Sequence, residues 1–154
     1  MIKKVEIKEK EEAVLPKQTA KITSQGKPNL KVIPLGGLEE VGKNMTLLEY
    51  DKNIIIIDMG LKFAEEDMPG VDFIIPSIDY LKDKKDWIKG IFITHAHYDH
   101  IGAIPYLIDK LGYPVIYTTL LSKGIILKRQ EDFPSMKKLH IEVINKDNPQ
   151  TITL

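Results

Sequence analysis

Apolar residues gather in short segments along most of the chain, and their spacing predicts a sheet interleaved with helices. Strands are predicted where β-branched and aromatic residues cluster between turn residues. They cover residues 30–35, 45–50, 53–58, 90–94, 114–118, 139–144 and 151–154. Helical spacing predicts helices over 77–86 (with Ser77 as a candidate N-cap), 101–111 and 119–133. Because turns join the early strands while helices separate the later ones, the pattern predicts an α/β fold, with a mixed sheet and packed helices.

The first 28 residues differ in composition from the rest of the chain. Residues 1–28 hold seven lysines and four glutamates, with few large apolar residues and no clear period. Such a segment cannot bury enough apolar surface to order itself, so we expect a mobile Lys/Glu-rich tail. Residues 29–154 carry the predicted strands and helices, and we expect them to form one domain.

Composition excludes several kinds of site. The 154 residues include 22 basic and 22 acidic side chains, so no net charge attracts nucleic acid to the chain as a whole. Cysteine is absent, which excludes disulfides and leaves imidazole and carboxylate as the metal ligands. No segment has the apolar length of a signal peptide or a membrane span, so the expected location is the cytoplasm, with no membrane contact.

Three of the four histidines and one aspartate lie within six positions. His95, His97, Asp99 and His100 follow the predicted strand at 90–94 and precede the predicted helix at 101–111. A strand-to-helix loop is where α/β folds usually place their chemistry, and clustered His and Asp side chains are typical metal ligands. The alternative is a chance cluster or an adventitious surface metal binder. A chance cluster would also have to explain why Asp99 and His100 follow His97 directly after Tyr98, and why a predicted strand precedes the cluster.

The pattern His95-x-His97-x-Asp99-His100 after an apolar strand resembles the signature of the metallo-β-lactamase fold. Further segments narrow the resemblance to the ribonuclease J family, bacterial and archaeal nucleases of the β-CASP branch. These segments are residues 34–45, 57–61 and 69–76. The resemblance covers about residues 30–154. It implies the N-terminal part of a metallo-β-lactamase αβ/βα sandwich.

The resemblance also implies a function. Members of the family bind two zinc ions and use an activated water to cleave a phosphodiester of RNA, by 5′–3′ exonuclease or endonuclease action. His95 and His97 would bind the first ion, and Asp99 and His100 the second. Manganese is an alternative metal, because imidazole and carboxylate sites also accept it. RNA is the implied partner, and the full-length enzyme is expected to be a homo-oligomer.

Residues outside the hexapeptide have smaller expected roles. Asp58 matches an acidic residue of the family near the site, and we interpret it as orienting a ligand histidine, with a turn aspartate as the alternative. Asn44 lies in a loop, with Glu40 and Lys43, that is expected to approach the site. His140 occurs in an alternating strand and is interpreted as a surface residue rather than a ligand.

Counting ligands leaves the activity of this chain open. Each ion needs about three protein ligands, and the motif supplies four in total. In the family the remaining ligands lie in later motifs that this chain does not contain, so we expect a truncated metallo-β-lactamase domain. The alternatives are a catalytically inactive fragment, a small metal-binding or docking domain, or another hydrolase of the same fold.

Overall fold

The computed structural model describes residues 29–145 together with Thr151 and Thr153, and the predicted tail at 1–28 lies outside these residues. The described strands are β1 (Lys31–Gly36), β2 (Met45–Tyr50), β3 (Asn53–Ile57), β4 (Lys62–Phe63), β5 (Phe73–Ile74), β6 (Ile88–Phe92), β7 (Ile116–Thr118) and β8 (Ile141–Val143). The described helices are α1 (Tyr98–Ile101), α2 (Ile104–Leu107) and α3 (Leu120–Gln130). None of these helices is long and apolar enough to cross a membrane.

Six of the strands form one mixed sheet, as the sequence predicted. Its order is β1-β2-β3-β6-β7-β8, while β4 and β5 form a separate two-stranded ribbon. Neighbours among β1, β2 and β3 are antiparallel, whereas β3–β6, β6–β7 and β7–β8 are parallel. The parallel half follows from the helices between its strands, because a parallel connection must cross over the sheet.

One apolar core joins the sheet to the helices. In β2 and β3 alternate side chains are buried, as expected for strands with one face against a core. Ile91 of β6 and Ile116 of β7 are fully buried in the same cluster. The α2 region contributes Ile104, Leu107 and Ile108. The helices therefore cover one face of the sheet.

The segment after β3 holds helix α1 by its backbone. Met59 N–H donates to the carbonyl of His100 at 2.7 Å, and Leu61 N–H donates to the carbonyl of Tyr98 at 3.1 Å. Between them, Gly60 leaves no room for a side chain, since a Cβ there would lie 1.5 Å from the carbonyl oxygen of Asp99. The motif is thus fixed to the end of β3 by main-chain contacts.

The predicted helix over 77–86 is wrong. Two short 3-10 turns, Asp79–Leu81 and Lys85–Trp87, occupy the segment, and Lys84 between them leaves the helical region with φ −127°. Ile78 rather than Ser77 holds the N-cap position of the first turn, although the Ser77 hydroxyl accepts from Asp79 N–H at 3.4 Å. Tyr80 and Lys84 both donate to the buried Glu49, and these long-range bonds override the local helical pattern.

The predicted helix over 101–111 begins earlier and is interrupted. Helix α1 starts at Tyr98, inside the histidine motif, and α2 starts at Ile104. Pro105 has no N–H to donate back to the preceding turn, which explains the break.

The other predictions differ mainly in their bounds. Helix α3 begins after Thr119, whose Oγ1 accepts from Ser122 N–H at 3.4 Å, and ends at Gln130 rather than 133. Thr151 and Thr153 are not in a strand, and the other two positions of the strand predicted at 151–154 lie outside the described residues.

A buried carboxylate lies near the other end of β2 from the motif. Glu49 continues the inward face of that strand and has a side chain only 5% exposed. Lys31, Tyr80 and Lys84 donate hydrogen bonds to it. Burial raises the pKa of Glu49, but these hydrogen bonds outweigh burial and lower the pKa from 4.5 to about 2. The ionised carboxylate therefore stabilises the fold.

We predict that Glu49→Gln lowers the free energy of unfolding by about 1–3 kcal/mol at neutral pH, because it weakens bonds to a buried charge. The folded pKa is depressed, so the contribution is complete above the unfolded pKa of 4.5 and is lost as pH falls through about 2. Urea unfolding from pH 7 to pH 2 measures this effect. The control is Glu142→Gln, because that side chain is 55% exposed. Equal acid sensitivity of wild type and Glu49→Gln would contradict the prediction.

Candidate functional site

The site lies where two parallel strands end side by side. Ile57 at the end of β3 pairs with Phe92 at the end of β6. Asp58 follows the first strand, and the hexapeptide His95–His100 follows the second. Because carboxyl ends of parallel strands share one edge of a sheet, residues 37 or more positions apart meet there.

Asp58 is buried at this edge in a backbone conformation unusual for aspartate, with φ +61°. Its N–H donates to the carbonyl of Phe92 at 2.9 Å, which continues the pairing beyond the strands. One carboxylate oxygen, Oδ1, accepts from Thr94 N–H at 2.8 Å. The other, Oδ2, lies 2.8 Å from Nδ1 of His100. The carboxylate therefore ties the end of β3 to both ends of the motif loop.

The contact with Asp58 assigns the tautomer of His100. A carboxylate only accepts, so the proton of the neutral imidazole is placed on Nδ1. Nε2 then has its lone pair available, and it lies 3.2 Å from Oδ2 of Asp99. Both side chains are half-buried, and both come from the first turn of α1. The two side chains thus place one nitrogen and one oxygen, both able to bind a metal ion, side by side.

His95 and His97 form a second close pair on the exposed side of the motif. Nε2 of His95 lies 3.1 Å from Nδ1 of His97. Nδ1 of His95 lies 3.0 Å from Oγ1 of Thr94, so its ring is held from the other side. The ring of His95 also lies 4.0 Å from that of His100, centroid to centroid. The two pairs are therefore adjacent.

The spacing within each pair fits one metal ion. Two ligand atoms that bind a tetrahedral zinc ion at about 2.0–2.1 Å lie about 3.3 Å apart. The histidine pair has 3.1 Å between its nitrogens, and the Asp99–His100 pair has 3.2 Å between its donors. Within the described residues, however, no three His, Asp or Glu side chains are arranged to hold one ion. The chain thus presents two half-sites of suitable chemistry.

Asn44 approaches the motif closely, as expected. Its N–H donates to the carbonyl of Asp99 at 3.0 Å. Its side-chain Nδ2 donates to Oδ2 of Asp99 at 3.1 Å and lies 3.3 Å from Nε2 of His100. The amide thus contacts both donors of the second pair.

The other residues of that loop have structural contacts. Glu40 pairs with Lys43 at 3.1 Å and lies 3.9 Å from Lys62. A Cβ on Gly37 would lie 2.5 Å from Oδ1 of Asn44, so the glycine allows the loop to pack against that amide. Glu40 and Lys43 therefore pair with each other, whereas Asn44 contacts the motif.

His140 lies outside the motif, as predicted. It comes one residue before β8, its side chain is 66% exposed, and Nε2 lies 3.6 Å from Oε1 of Glu142. The sequence did not identify Thr94, whose hydroxyl contacts Asp58, His95 and His100. The one sequence feature that could have indicated a role for Thr94 is its position directly before the first histidine, after an apolar strand.

Known proteins are similar in sequence to this chain. The family model described as "Metallo-beta-lactamase superfamily" matches residues 38–152. Ribonuclease J of Mycoplasma pneumoniae is 47% identical over 112 residues, which cover 73% of this chain and 20% of that protein. Ribonuclease J of Helicobacter pylori is 42% identical over 133 residues, 86% of this chain and 19% of that protein. The resemblance to ribonuclease J predicted from the sequence is confirmed.

Among solved structures, the short form of human tRNase Z aligns with a TM-score of 0.48 and 21% identity, over 75% of this chain and 47% of that one. The chain spans about a fifth of the length of the ribonuclease J relatives. The match over residues 38–152 covers most of the chain and includes the whole histidine motif. The chain therefore belongs to the metallo-beta-lactamase superfamily.

Proposed function

We propose that this chain is the N-terminal, metal-binding part of a zinc-dependent ribonuclease that cleaves RNA phosphodiesters. The observation that carries the proposal is the pairing of donors at 3.1 and 3.2 Å on adjacent sides of one loop. His95 and His97 would hold one zinc ion, and Asp99 and His100 the other. Residues outside the described part of the chain would supply the remaining ligands.

The residues around the two pairs orient the donors. Asp58 holds the proton of His100 on Nδ1, which would leave Nε2 free to bind the second ion. Thr94 fixes the ring of His95. Asn44 positions Asp99 through its backbone N–H. When bound, two zinc ions supply Lewis acidity, which activates water near neutral pH and neutralises charge on a phosphodiester.

The names of the relatives support RNA as the proposed substrate. The proteins that match at 37–47% identity include those named ribonuclease J, and the matched segments contain the motif. A different hydrolytic substrate is the first alternative, because the superfamily pattern of histidines alone does not specify RNA. A metal-binding or docking domain without catalysis is the second. Exonuclease and endonuclease action, a cytoplasmic location and a homo-oligomeric full-length protein remain predictions.

We predict that the purified chain binds zinc weakly, through the motif. Two donors for each ion hold it less well than three or four. Isothermal titration calorimetry should show binding by the wild type and its loss in the double variant His95→Ala/His97→Ala, except for any remaining binding by the second pair. His140→Ala is the matched control, because it removes an exposed histidine outside the motif. Unchanged binding in the double variant would remove His95 and His97 from the proposed site.

Asp58→Asn should weaken metal binding without removing a ligand. An amide can donate to Nδ1 of His100 and so favour the wrong tautomer, and loss of such a partner typically costs about 10–100-fold in metal affinity. Titration with Co²⁺, followed by its visible absorption, measures the change. Asp67→Asn is the control, since Asp67 is exposed. Wild-type affinity in Asp58→Asn would show that the carboxylate acts only in the fold.

The catalytic part of the proposal needs a longer protein. We predict that residues 1–154 alone do not hydrolyse RNA with zinc or manganese, because two half-sites do not fix two metals around one water. A chimera in which this chain replaces the matching part of Mycoplasma pneumoniae ribonuclease J should cleave RNA, and Asp99→Ala in the chimera should abolish cleavage.

Two outcomes would contradict this prediction. The first is metal-dependent cleavage by residues 1–154 that His97→Ala abolishes, which would mean that the described residues complete the site. The second is a folded chimera, checked by circular dichroism and zinc content, that cleaves no RNA while its parent does. The second outcome would favour the non-catalytic alternative.

A further inference from the structure

A cleft opens directly beside the histidine motif, between α1 and α3. It has a volume of about 230 Å³. We call it the Tyr98 cleft; it is lined by Tyr98, Ile101, Ile125, Lys128, Arg129 and Asp132. Tyr98 lies between His97 and Asp99 in the chain, so the wall of the cleft is part of the motif itself. A group bound there would be adjacent to the two donor pairs.

Tyr98 presents an aromatic surface that the described residues leave partly uncovered. The residue is 41% exposed. The ring of Phe63, which is 64% exposed, lies 6.1 Å from that of Tyr98 between centroids. The two adjacent exposed rings form an apolar surface, and flat aromatic faces are what unpaired nucleobases stack on.

Cationic side chains lie on the same cleft. The guanidinium carbon of Arg129 is 5.4 Å from the centroid of the Tyr98 ring. Lys128 has a side chain 79% exposed. Each forms an ion pair with an acidic residue three positions later on the same surface, Glu131 and Asp132. The Lys128 pair is exposed on both sides and therefore weak, so a phosphate can replace its carboxylate at little cost, whereas the Arg129 side chain is only 26% exposed.

We propose that the Tyr98 cleft binds an unpaired nucleobase of single-stranded RNA, stacked on Tyr98, while Lys128 and Arg129 contact the neighbouring phosphates. The apolar floor formed by Ile101 and Ile125 suits the face of a base, and the cations suit the backbone. The proposal rests on the proposed function, since it gives RNA a place next to the metal ligands. It adds an RNA-binding subsite to the zinc-binding residues.

Fluorescence anisotropy with a labelled oligo-uridylate, and with an abasic ribose-phosphate oligomer of the same length, tests the proposal on residues 1–154. We expect wild type to bind the oligo-uridylate more tightly than the abasic oligomer. Tyr98→Ala should weaken oligo-uridylate binding about 5-fold or more, the loss expected for one stacked base. Tyr98→Phe should bind like wild type. Tyr50→Ala is the matched control, because Tyr50 is 49% exposed and lies at the far end of β2.

The charged part of the subsite is tested by salt. Lys128→Gln should reduce the slope of log K against log salt by about 0.7 if the lysine neutralises one phosphate of the single strand. Lys52→Gln is the control, since Lys52 is an exposed lysine on the β2–β3 turn. An unchanged slope in Lys128→Gln would remove that lysine from the subsite.

Three results would overturn the proposal: no RNA binding by wild type, equal binding of the abasic oligomer, or unchanged binding by folded Tyr98→Ala. Self-association that Tyr98→Ala abolishes in sedimentation experiments would show that the cleft is a protein contact instead. Zinc calorimetry on Tyr98→Ala separates this proposal from the metal assignment. Tyr98 is not a proposed ligand, so its removal should leave zinc binding unchanged whether or not the subsite exists.

Discussion

The contact between the Asp58 carboxylate and the motif loop is the interaction on which the site depends. Main-chain bonds already hold the backbone of α1, including the carbonyl of His100, but the Asp58 carboxylate is what contacts the His100 ring and the N–H of Thr94. One of its oxygens holds the start of the loop at Thr94 N–H and the other holds the first turn of α1 at His100. The carboxylate is buried, so these bonds operate at low dielectric, where each is stronger than in water.

The sheet brings Asp58 to this point without relying on side chains. Parallel pairing of β3 and β6 aligns Ile57 with Phe92, and the bond from Asp58 N–H to the carbonyl of Phe92 extends that register by one residue. The positive φ of Asp58 then turns the chain toward α1. Strain in a non-glycine residue at such a φ costs about 1–3 kcal/mol. The hydrogen bonds of its carboxylate offset this cost, which links the backbone turn to the orientation of His100.

Much of this arrangement was predictable because it depends on local patterns. The six strands of the mixed sheet and α3 follow from apolar spacing, as does the position of the hexapeptide after a strand, whereas the short β4–β5 ribbon was not predicted. The segment at 77–86 was mispredicted because its conformation depends on Glu49, which lies 31 positions before Tyr80. The role of Thr94 was also hidden, since its hydroxyl acquires partners only after the strands pair. Contacts distant in sequence leave little local signal.

The division of the proposed metal ligands into pairs has a consequence for metal affinity. Each pair has the spacing of two ligands of one ion, and within the described residues neither pair gains a third. Two ligand atoms alone bind an ion weakly. Tight binding would therefore require further ligands from elsewhere in a longer polypeptide or from its partners. Metal affinity would then report on whether those parts are docked against this edge of the sheet. The contacts of Asn44 fit this interpretation. Oδ2 of Asp99 and Nε2 of His100 both have a lone pair available, so each can accept a hydrogen bond from the Asn44 amide where no cation is bound.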